Sequence, residues 1–314
     1  MSGVSADGRF APSPTGPLHL GSLRTALVAW LFARAQGARF LLRIDDLDPD
    51  RSRREFERGQ LADLGALGID WDQPPVRQSE RLSEYARALA ALDAAGRVYP
   101  CFCTRAEIRE AASAPHGDLP AGAYPGTCRR LSDAERRARI AAGRPHALRV
   151  RADEEVVEFD DRILGRCRGV VDDFVVRRAD GIPAYQLAVV VDDTFQGVGE
   201  VVRGADLADS TPRQILLARL LGLPVPRFAH VPLVLGPDGA RLAKRHGAVT
   251  LADRGEPAAV TLAWLAHTLG LARGQTAVLA AADLLNGFDP DALPRDPVMI
   301  DQRDAAPSRR SSAR

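Results

Sequence analysis

The sequence predicts an α/β protein whose core is a doubly wound parallel sheet of the Rossmann type. Residues 8–11 and 39–44 form short apolar segments, and between them apolar side chains recur at helical spacing from Gly21 onward. In the second half of the chain, a short predicted strand at residues 200–202 precedes a helical segment that ends at Gly222. A strand, a helix and a strand in succession form a parallel βαβ unit, and two such regions predict a doubly wound sheet.

Length and composition favour a globular protein over a membrane or disordered one. The chain has 314 residues, and 46% of them are hydrophobic, which is enough to bury a sizeable core. Because the formal net charge is only +1, any contact with nucleic acid depends on a local patch. No apolar run is long enough for a membrane span, and the polar N-terminus does not read as a signal peptide. We expect a cytoplasmic protein without membrane contacts, and we take it to be a monomer.

The most informative local pattern lies between the first strand and the first helix. Residues 12–17 contain three prolines and Gly16, which keep this loop out of regular structure. Gly21 lets a ligand approach the backbone, and a helix that begins there offers unpaired N–H groups to a phosphate. His19 lies where its ring could donate a hydrogen bond to that phosphate. The alternative is an ordinary strand-to-helix turn.

Lysine is nearly absent from this chain. The 42 basic residues include a single lysine, Lys244, and all the others are arginines. A chain with this bias should lose lysine wherever charge alone suffices, because the two side chains differ at a tight phosphate site. We therefore predict a phosphate-binding role for Lys244, and its chance survival is the alternative.

Charged residues at predicted strand ends indicate a pocket for an amino acid. Asp45 follows an apolar strand and should lie near Ser13, at the edge of the sheet where ligands bind. A carboxylate there can pair with the ammonium of an amino acid, although a solvated acidic loop is the alternative. Arg203 ends another predicted strand and suits two-point recognition of a carboxylate. Tyr185 precedes a strongly apolar segment and is either a pocket residue or a core aromatic.

Three cysteines predict a structural zinc site. Cys101, Cys103 and Cys128 flank a loop rich in alanine, proline and glycine, which has no apolar core of its own. The spacing leaves the fourth ligand open between His116, the chemically ordinary choice, and Tyr124. The alternative is a group of three buried free cysteines that bind no metal.

These motifs resemble those of the class I aminoacyl-tRNA synthetases, in the glutamyl and glutaminyl branch. Residues 9–22, RFAPSPTGPLHLGS, are similar to the HIGH-type region of that branch, with serine in place of the final histidine. Two further segments match motifs of the branch, AYQLAVVVDD at 184–193 and VRGADL at 202–207. Residues 241–245, RLAKR, resemble the KMSKS loop, although arginine replaces its first lysine and alanine and arginine replace its serines. The resemblance extends over residues 8–270.

The resemblance implies a role for each site residue. It implies that L-glutamate is bound by Arg9, Phe10, Ala11, Pro12, Ser13, Asp45, Tyr185 and Arg203. It also implies that ATP, together with Mg²⁺, binds at His19, Gly21 and Lys244, of which His19 and Lys244 are the catalytic residues. Asp45 stands where this branch usually has glutamate, and its side chain is one methylene shorter.

The implied reaction has two steps. ATP and glutamate form glutamyl-adenylate and pyrophosphate, and an RNA hydroxyl then attacks the activated carbonyl. The residues after Lys244 are too few for the helical anticodon-binding part of an ordinary glutamyl-tRNA synthetase. The chain is therefore similar to the truncated family of glutamyl-queuosine tRNA(Asp) synthetases, which implies queuosine in the anticodon loop of tRNA(Asp) as the acceptor. That family also has the cysteine-rich insertion, which implies Tyr124 as the fourth zinc ligand.

Two other functions stay open at this point. A compact glutamyl-tRNA synthetase would charge the 3′ end of a tRNA. A non-catalytic RNA-binding module would need neither the phosphate loop nor the amino-acid pocket, and the near-neutral charge gives it little support.

The motifs divide the chain into five parts. Residues 1–100 form the first half of the catalytic domain, and residues 101–130 form the zinc-binding insertion. Residues 131–245 form the second half of the catalytic domain with the KMSKS-like loop. Residues 246–290 are expected to be a helical C-terminal part, and residues 291–314, with few apolar side chains, a disordered tail.

Overall fold

The computed structural model of the protein describes residues 6–104, 106–108, 123–242, 246, 249–271 and 280–300. Its strands are β1 (Gly8–Phe10), β2 (Phe40–Ile44), β3 (Val76–Arg77), β4 (Val98–Cys101), β5 (Ala147–Val150), β6 (Val156–Asp161), β7 (Gly165–Val170), β8 (Val175–Arg177), β9 (Glu200–Gly204), β10 (Arg227–Val231), β11 (Val234–Leu235) and β12 (Val298–Met299). Its helices are α1 (Leu20–Ala35), α2 (Arg54–Ala66), α3 (Leu82–Ala94), α4 (Asp133–Ala141), α5 (Tyr185–Gln196), α6 (Thr211–Leu221), α7 (Leu251–Arg254) and α8 (Ala258–Thr268).

The main sheet has seven strands in the order β3-β2-β1-β9-β10-β6-β7. All neighbouring pairs are parallel except β6 and β7, which form an antiparallel hairpin at one edge. Gly8 is paired with Phe40 on one side and with Glu200 on the other, so the two halves of the chain meet at β1 and β9. The predicted doubly wound parallel sheet is confirmed. The strand order reverses between β1 and β9, and a crevice for ligands is expected there.

Helices cover both faces of this sheet, and consecutive residues of a strand pack against the helices on opposite faces. Leu42 packs into the cluster that contains α1 and α8, whereas its neighbour Leu41 packs into the cluster that contains α5 and α6. Helix α1 lies very close to β1, because a Cβ atom on Gly8 would come within 3.3 Å of the Ala33 Cβ. The close approach fixes the C-terminal part of α1 relative to the start of β1.

A smaller sheet connects the cysteine-rich insertion to the main sheet. Strands β4, β5 and β8 form a three-stranded antiparallel sheet. The buried Asp173 joins its parts, since the Tyr99 hydroxyl donates to Oδ2 at 2.6 Å and the Ala152 N–H donates to Oδ1 at 2.8 Å. This sheet carries Cys101 at the end of β4 to the edge of the main domain.

A buried arginine connects α1 to the C-terminal helices. Arg24 is 1% exposed, and burial lowers its pKa to about 10. It donates to the Pro232 carbonyl at 2.7 Å and to the Thr268 hydroxyl and carbonyl at 3.2 and 3.3 Å. Helices α7 and α8 lie in the segment predicted to be helical. Among the residues that the structure describes, no helix combines the length and apolarity needed to cross a membrane.

The prediction of a disordered tail over residues 291–314 is wrong for residues 291–300. Strand β12 pairs in parallel with β11, and Ile300 after it is 1% exposed in a cluster with Leu20 and Val249. A strand of two residues and one buried isoleucine are too little to change the composition of the segment, so sequence composition could not reveal them. Residues 301–314 lie outside the described part of the chain.

Replacing Ile300 with alanine should therefore destabilise the protein. We expect the free energy of unfolding to fall by about 2–4 kcal/mol, because a buried aliphatic side chain is removed. The neighbouring Met299 is 52% exposed, so Met299→Ala should change that free energy by less than about 0.5 kcal/mol. Urea unfolding of the two variants measures the difference. Equally small effects would contradict the packing of this segment against α1.

Candidate functional site

A cleft opens at the carboxyl ends of β1 and β9, where the strand order reverses. Its volume is about 500 Å³, and it is lined by the loop after β1, by the start of α1 and by residues of both halves of the sheet. The described residues that were assigned to glutamate or ATP all line it: Arg9, Phe10, Ala11, Pro12, Ser13, His19, Gly21, Asp45, Tyr185 and Arg203. Lys244 lies outside the described residues. The fold thus brings the predicted set together, while the role of each residue stays a prediction.

His19 caps the start of α1 through its ring. Its Nδ1 accepts the Ser22 backbone N–H at 3.1 Å, so the proton of a neutral ring is on Nε2. Burial and the nearby Arg241 charge lower the pKa of His19, although Asp206 opposes them. Arg241 and Asp206 form an ion pair of 2.6 Å beside the same cleft. At neutral pH the ring is therefore uncharged, and its Nε2–H can donate to an oxygen in the cleft.

Gly21 is required by the position of the His19 ring. A Cβ atom on Gly21 would lie 3.1 Å from Nδ1 and 3.2 Å from Cε1 of that ring, and 3.6 Å from Cβ of Val234. The two distances to the ring are tighter than ordinary van der Waals contact, so a larger residue would push the imidazole aside by a few tenths of an ångström. The glycine therefore makes room for the ring that caps the helix.

The histidine motif is joined directly to the segment that follows the KMSKS-like loop. The Leu20 N–H donates to the Val249 carbonyl at 2.8 Å, and His19 forms an isolated antiparallel bridge with Thr250. Leu20 and Val249 are also buried in one apolar cluster. The chain on the far side of Lys244 is thus held against the start of α1.

Two buried arginines form the inner wall of the cleft. Arg9 on β1 is 4% exposed, and its Nε and Nη2 donate to the two carboxylate oxygens of Asp193 at 3.1 and 3.3 Å. Arg43 on β2 is fully buried and donates to the same carboxylate through Nη1. Burial opposes ionisation of Asp193, but the Arg9 and Arg43 charges outweigh it and its pKa lies below the usual value. One aspartate of α5 therefore holds arginines from two strands.

Asp45 lies at the end of β2, as predicted, and is tied to the same group. Its Oδ1 accepts the Arg43 Nε–H at 2.7 Å, and its backbone N–H donates to the Pro12 carbonyl at 3.0 Å. Burial raises the pKa of Asp45, although Arg43 works against that rise. The contact with Arg43 excludes the alternative of a solvated acidic loop. A substrate ammonium beside this carboxylate would favour its ionised form.

Arg203 differs from the other two arginines of the cleft in its partners. Its Nε donates to His230 Nε2 at 3.1 Å, and Nη1 donates to Gln214 Oε1 at 2.8 Å. Its Nη2 donates to the Thr211 hydroxyl at 2.8 Å and to the Leu207 carbonyl at 3.3 Å. Each of these acceptors is neutral, whereas Arg9 and Arg43 bind carboxylates directly. Burial lowers the pKa of Arg203, but a guanidinium stays charged at neutral pH.

Tyr185 is the first residue of α5, and its side chain reaches the cleft. It is 39% exposed and lies against the Arg203 guanidinium, so the alternative of a core aromatic is wrong. The apolar segment that follows it is helical, and Leu187 and Ala188 are buried against the sheet.

Sequence reasoning missed three residues of this site. Gln60 on α2 lines the cleft and donates to the carbonyls of Ser13 and Gly16 at 3.0 and 2.7 Å, which holds the proline-rich loop. Arg43 and Asp193 lie inside motifs that were recognised, but neither was assigned a role. A signal was present for Asp193, because a carboxylate at the end of an apolar helical segment needs a cationic partner when buried.

The three cysteines come together with Tyr124, as the zinc prediction requires. Their sulfur atoms lie within 4.8 Å of one another. The Tyr124 hydroxyl is 3.4 Å from Cys101 Sγ and 3.7 Å from Cys103 Sγ, and Cys103 and Cys128 Sγ are 3.5 Å apart. The other candidate ligand, His116, lies outside the described residues.

This donor set fits a zinc ion. Tetrahedral zinc with Zn–S bonds of about 2.3 Å places its sulfur ligands about 3.8 Å apart, close to the spacing found here. The cluster is largely buried, and the Phe102 backbone N–H donates to Cys128 Sγ at 3.3 Å, as backbone groups around zinc thiolates commonly do. Thiolates gathered at this spacing would repel one another without a cation.

Comparison with known proteins agrees with the geometry. A family model for the catalytic domain of class I tRNA synthetases (E and Q) matches residues 6–304. The structure superposes with a TM-score of 0.82 on the crystal structure of a glutamate tRNA ligase from Elizabethkingia meningosepticum in complex with its amino acid. That protein is 26% identical, and the match covers 96% of this chain and 68% of the ligase.

Closer relatives have nearly the same length as this chain. The Glutamyl-Q tRNA(Asp) synthetase of Nocardia farcinica is 58% identical over 300 residues, which cover 95% of this chain and 94% of the relative. The Glutamyl-Q tRNA(Asp) synthetase of Symbiobacterium thermophilum is 54% identical, and the match covers 93% of this chain and 95% of the relative. With its sheet, its cleft and its cysteine cluster, the chain belongs to the class I tRNA synthetases of the E and Q type and, within them, to the family of glutamyl-Q tRNA(Asp) synthetases.

Proposed function

We propose that this protein activates L-glutamate with ATP as glutamyl-adenylate and transfers the glutamyl group to queuosine in the anticodon loop of tRNA(Asp). The observation that carries the choice of amino acid is the buried, charged Arg203, whose hydrogen-bond acceptors among the described residues are neutral. A buried cation of this kind is stabilised by an anionic ligand.

Glutamate satisfies this pocket with its side-chain carboxylate and its ammonium group, which leaves its α-carboxylate to react. The side-chain carboxylate pairs with the Arg203 guanidinium, next to the Tyr185 hydroxyl, and the ammonium faces Asp45. Arg9, with Phe10, Ala11, Pro12 and Ser13 on the adjacent loop, completes the amino-acid pocket. Glutamine would place a neutral amide against Arg203 and lose the charge-assisted bond, and aspartate is too short to reach every partner at once.

ATP binds where the histidine motif begins α1. His19 donates from Nε2 to a phosphate oxygen, and Gly21 allows the triphosphate to approach the helix N-terminus. Lys244, the one lysine of the sequence, supplies a positive charge to the leaving pyrophosphate. Mg²⁺ would accompany the triphosphate, with phosphate oxygens and water as its main ligands.

The chemistry needs no covalent enzyme intermediate. An oxygen of the glutamate α-carboxylate attacks the α-phosphorus of ATP, and pyrophosphate leaves. An acceptor hydroxyl then attacks the carbonyl of the mixed anhydride, and AMP leaves. Each step is accelerated by holding the reacting groups together and by placing positive charge where negative charge develops. Lys244 and the N-terminus of α1 provide that charge, and the neutral His19 donates a hydrogen bond from Nε2.

The relatives and the chemistry of queuosine both support the proposed acceptor. The chain covers 94% and 95% of two relatives named Glutamyl-Q tRNA(Asp) synthetase, but 68% of a glutamate tRNA ligase. Queuosine carries a cis-diol on its cyclopentene ring, which resembles the ribose diol at the 3′ end of a tRNA. The coverage makes a compact glutamyl-tRNA synthetase the less supported function. The cleft gathers every described residue that was predicted to bind glutamate or ATP, which argues against a non-catalytic RNA-binding module.

We also propose that one zinc ion is held by Cys101, Cys103, Cys128 and Tyr124. The ion would join β4 to the 3-10 helix at Thr127–Arg130 and so stabilise an insertion that has only a small apolar cluster. The proposed reaction uses ATP and tRNA, so we place the protein in the cytoplasm, where it acts as a monomer.

The acceptor can be tested with labelled glutamate. The protein should attach it to tRNA(Asp) that contains queuosine, and not to tRNA(Glu). Removing the 3′-terminal adenosine of tRNA(Asp) should leave the reaction intact, because the acceptor hydroxyl is in the anticodon loop. tRNA(Asp) made without queuosine should accept no glutamate. Label at the 3′ end of tRNA(Glu) would instead establish a compact glutamyl-tRNA synthetase.

The zinc proposal predicts about one zinc per chain in protein purified without added metal. Cys128→Ser and Tyr124→Phe should lower the zinc content, because each removes a ligand. Cys167 lies on β7, away from the cluster, so Cys167→Ser is the matched control and should retain the metal. Metal analysis by mass spectrometry gives the ratio. Loss of zinc from His116→Ala but not from Tyr124→Phe would make His116 the fourth ligand.

A further inference from the structure

Two buried residues behind Arg203 have no part in the reaction proposed above. β9 and β10 are neighbouring parallel strands in which Arg203 is paired with His230. Strand β6, on the other side of β10, ends at Asp161. The side chains of Asp161 and His230 have no exposed surface. Three adjacent strands thus place a carboxylate, an imidazole and a guanidinium in a row below the floor of the cleft, each in contact with the next.

The hydrogen bonds determine which nitrogen of His230 carries the proton. Asp161 Oδ2 is 2.6 Å from His230 Nδ1, and Asp161 Oδ1 accepts the N–H groups of Ile163 and Leu164 at 3.0 and 2.9 Å. Burial opposes ionisation of Asp161, but the bonds from His230 and Leu164 outweigh it and hold its pKa below the usual value. An ionised Asp161 can only accept, so Nδ1 carries the proton and Nε2 is free to accept from Arg203.

His230 stays neutral, and this matters for Arg203. Burial lowers the pKa of His230, and the adjacent Arg203 charge lowers it further, while the bond to Asp161 opposes both. A protonated ring would turn an N–H towards the Arg203 Nε–H at 3.1 Å. With a neutral ring between them, Asp161 balances the charge of Arg203 without touching it. Arg9, in contrast, is in direct contact with Asp193.

We propose that Asp161 and His230 are positioning residues for the amino-acid substrate. They fix the orientation of the Arg203 guanidinium. A direct ion pair would neutralise its charge, whereas the neutral His230 leaves that charge available to a substrate carboxylate. This inference rests on the proposed function, in which Arg203 binds glutamate.

The test is the Michaelis constant for each substrate in glutamate-dependent exchange of pyrophosphate into ATP. Asp161→Asn keeps the shape but lets an amide donate to Nδ1, so that the ring proton moves to Nε2 and faces Arg203. His230→Leu removes the acceptor. Both should raise the KM for glutamate about ten- to a hundredfold, the effect of losing a hydrogen bond to a charged group. The KM for ATP should stay within about twofold of the wild-type value, because the proposed ATP site is at the start of α1 and not at Arg203.

His230→Gln is the conservative variant, since its amide oxygen can accept from the Arg203 Nε–H. It should raise the KM for glutamate less than His230→Leu does, and this ranking distinguishes positioning from a general loss of structure. Asp173→Asn is the matched control, because Asp173 is a buried aspartate bound to Tyr99 and Ala152 in the smaller sheet. It should leave the KM for glutamate unchanged.

Two results would overturn the inference. One is an unchanged KM for glutamate in folded Asp161→Asn and His230→Leu, with folding checked by thermal melting. The other is an equal rise in the KM values for glutamate and ATP. Absence of glutamate-dependent exchange in the wild-type protein would instead contradict the proposed function. In that case the affinity of the same variants for glutamate, measured by calorimetry, tests the inference. The inference fails if their affinities equal that of the wild-type protein.

Discussion

The cleft depends on how the protein balances buried positive charge. Arg9, Arg43 and Arg203 come from three strands and are buried at one edge of the sheet. An isolated buried cation is unfavourable by several kcal/mol, so each must have a partner. α5 supplies Asp193 to Arg9 and Arg43, while Arg203 relies on neutral acceptors. The difference leaves the Arg203 guanidinium without a direct carboxylate partner among the described residues, so that a ligand carboxylate can pair with it.

The same ion pairs fix helix α5 relative to the sheet. Its Asp192 accepts hydrogen bonds from Gln78, Arg81 and Tyr85, which tie α5 to the start of α3. Because a helix moves as a unit, these contacts near its C-terminal end also set the position of Tyr185 at its start. The interactions that hold α5 in place therefore also determine the geometry of the pocket. Removing Asp192 or Asp193 would disturb the position of α5 and the pocket together.

The fold and most of the cleft could be predicted because both leave local signals in the sequence. Apolar periodicity marked β1, α1 and β2, and the rule that ligands bind at carboxyl strand ends brought Ser13 and Asp45 together. Arg203 was identified for the same reason, as an arginine at a strand end. The motif resemblance added identities that periodicity cannot provide, such as Tyr124 beside the cysteines.

The residues that were missed depend on contacts between distant parts of the chain. Arg43 and Asp193 are 150 positions apart, and Asp161 and His230 are 69 apart, so no local pattern records their pairing. The ordered segment up to Ile300 was missed because two strand residues and one buried side chain leave no periodicity to detect. Lys244 was singled out by composition and by the KMSKS-like motif around it, and it lies outside the described residues.

The central claim is that the cleft recognises an amino acid by the charge left on Arg203, and it is tested most directly on the wild-type protein alone. The measurement is exchange of pyrophosphate into ATP with glutamate, glutamine or aspartate as the only added amino acid and without RNA. We predict a kcat/KM for glutamate at least about a hundredfold above that for either of the others, since each leaves a buried partner unpaired. Equal exchange with glutamine, or exchange that appears only after tRNA is added, would contradict the account.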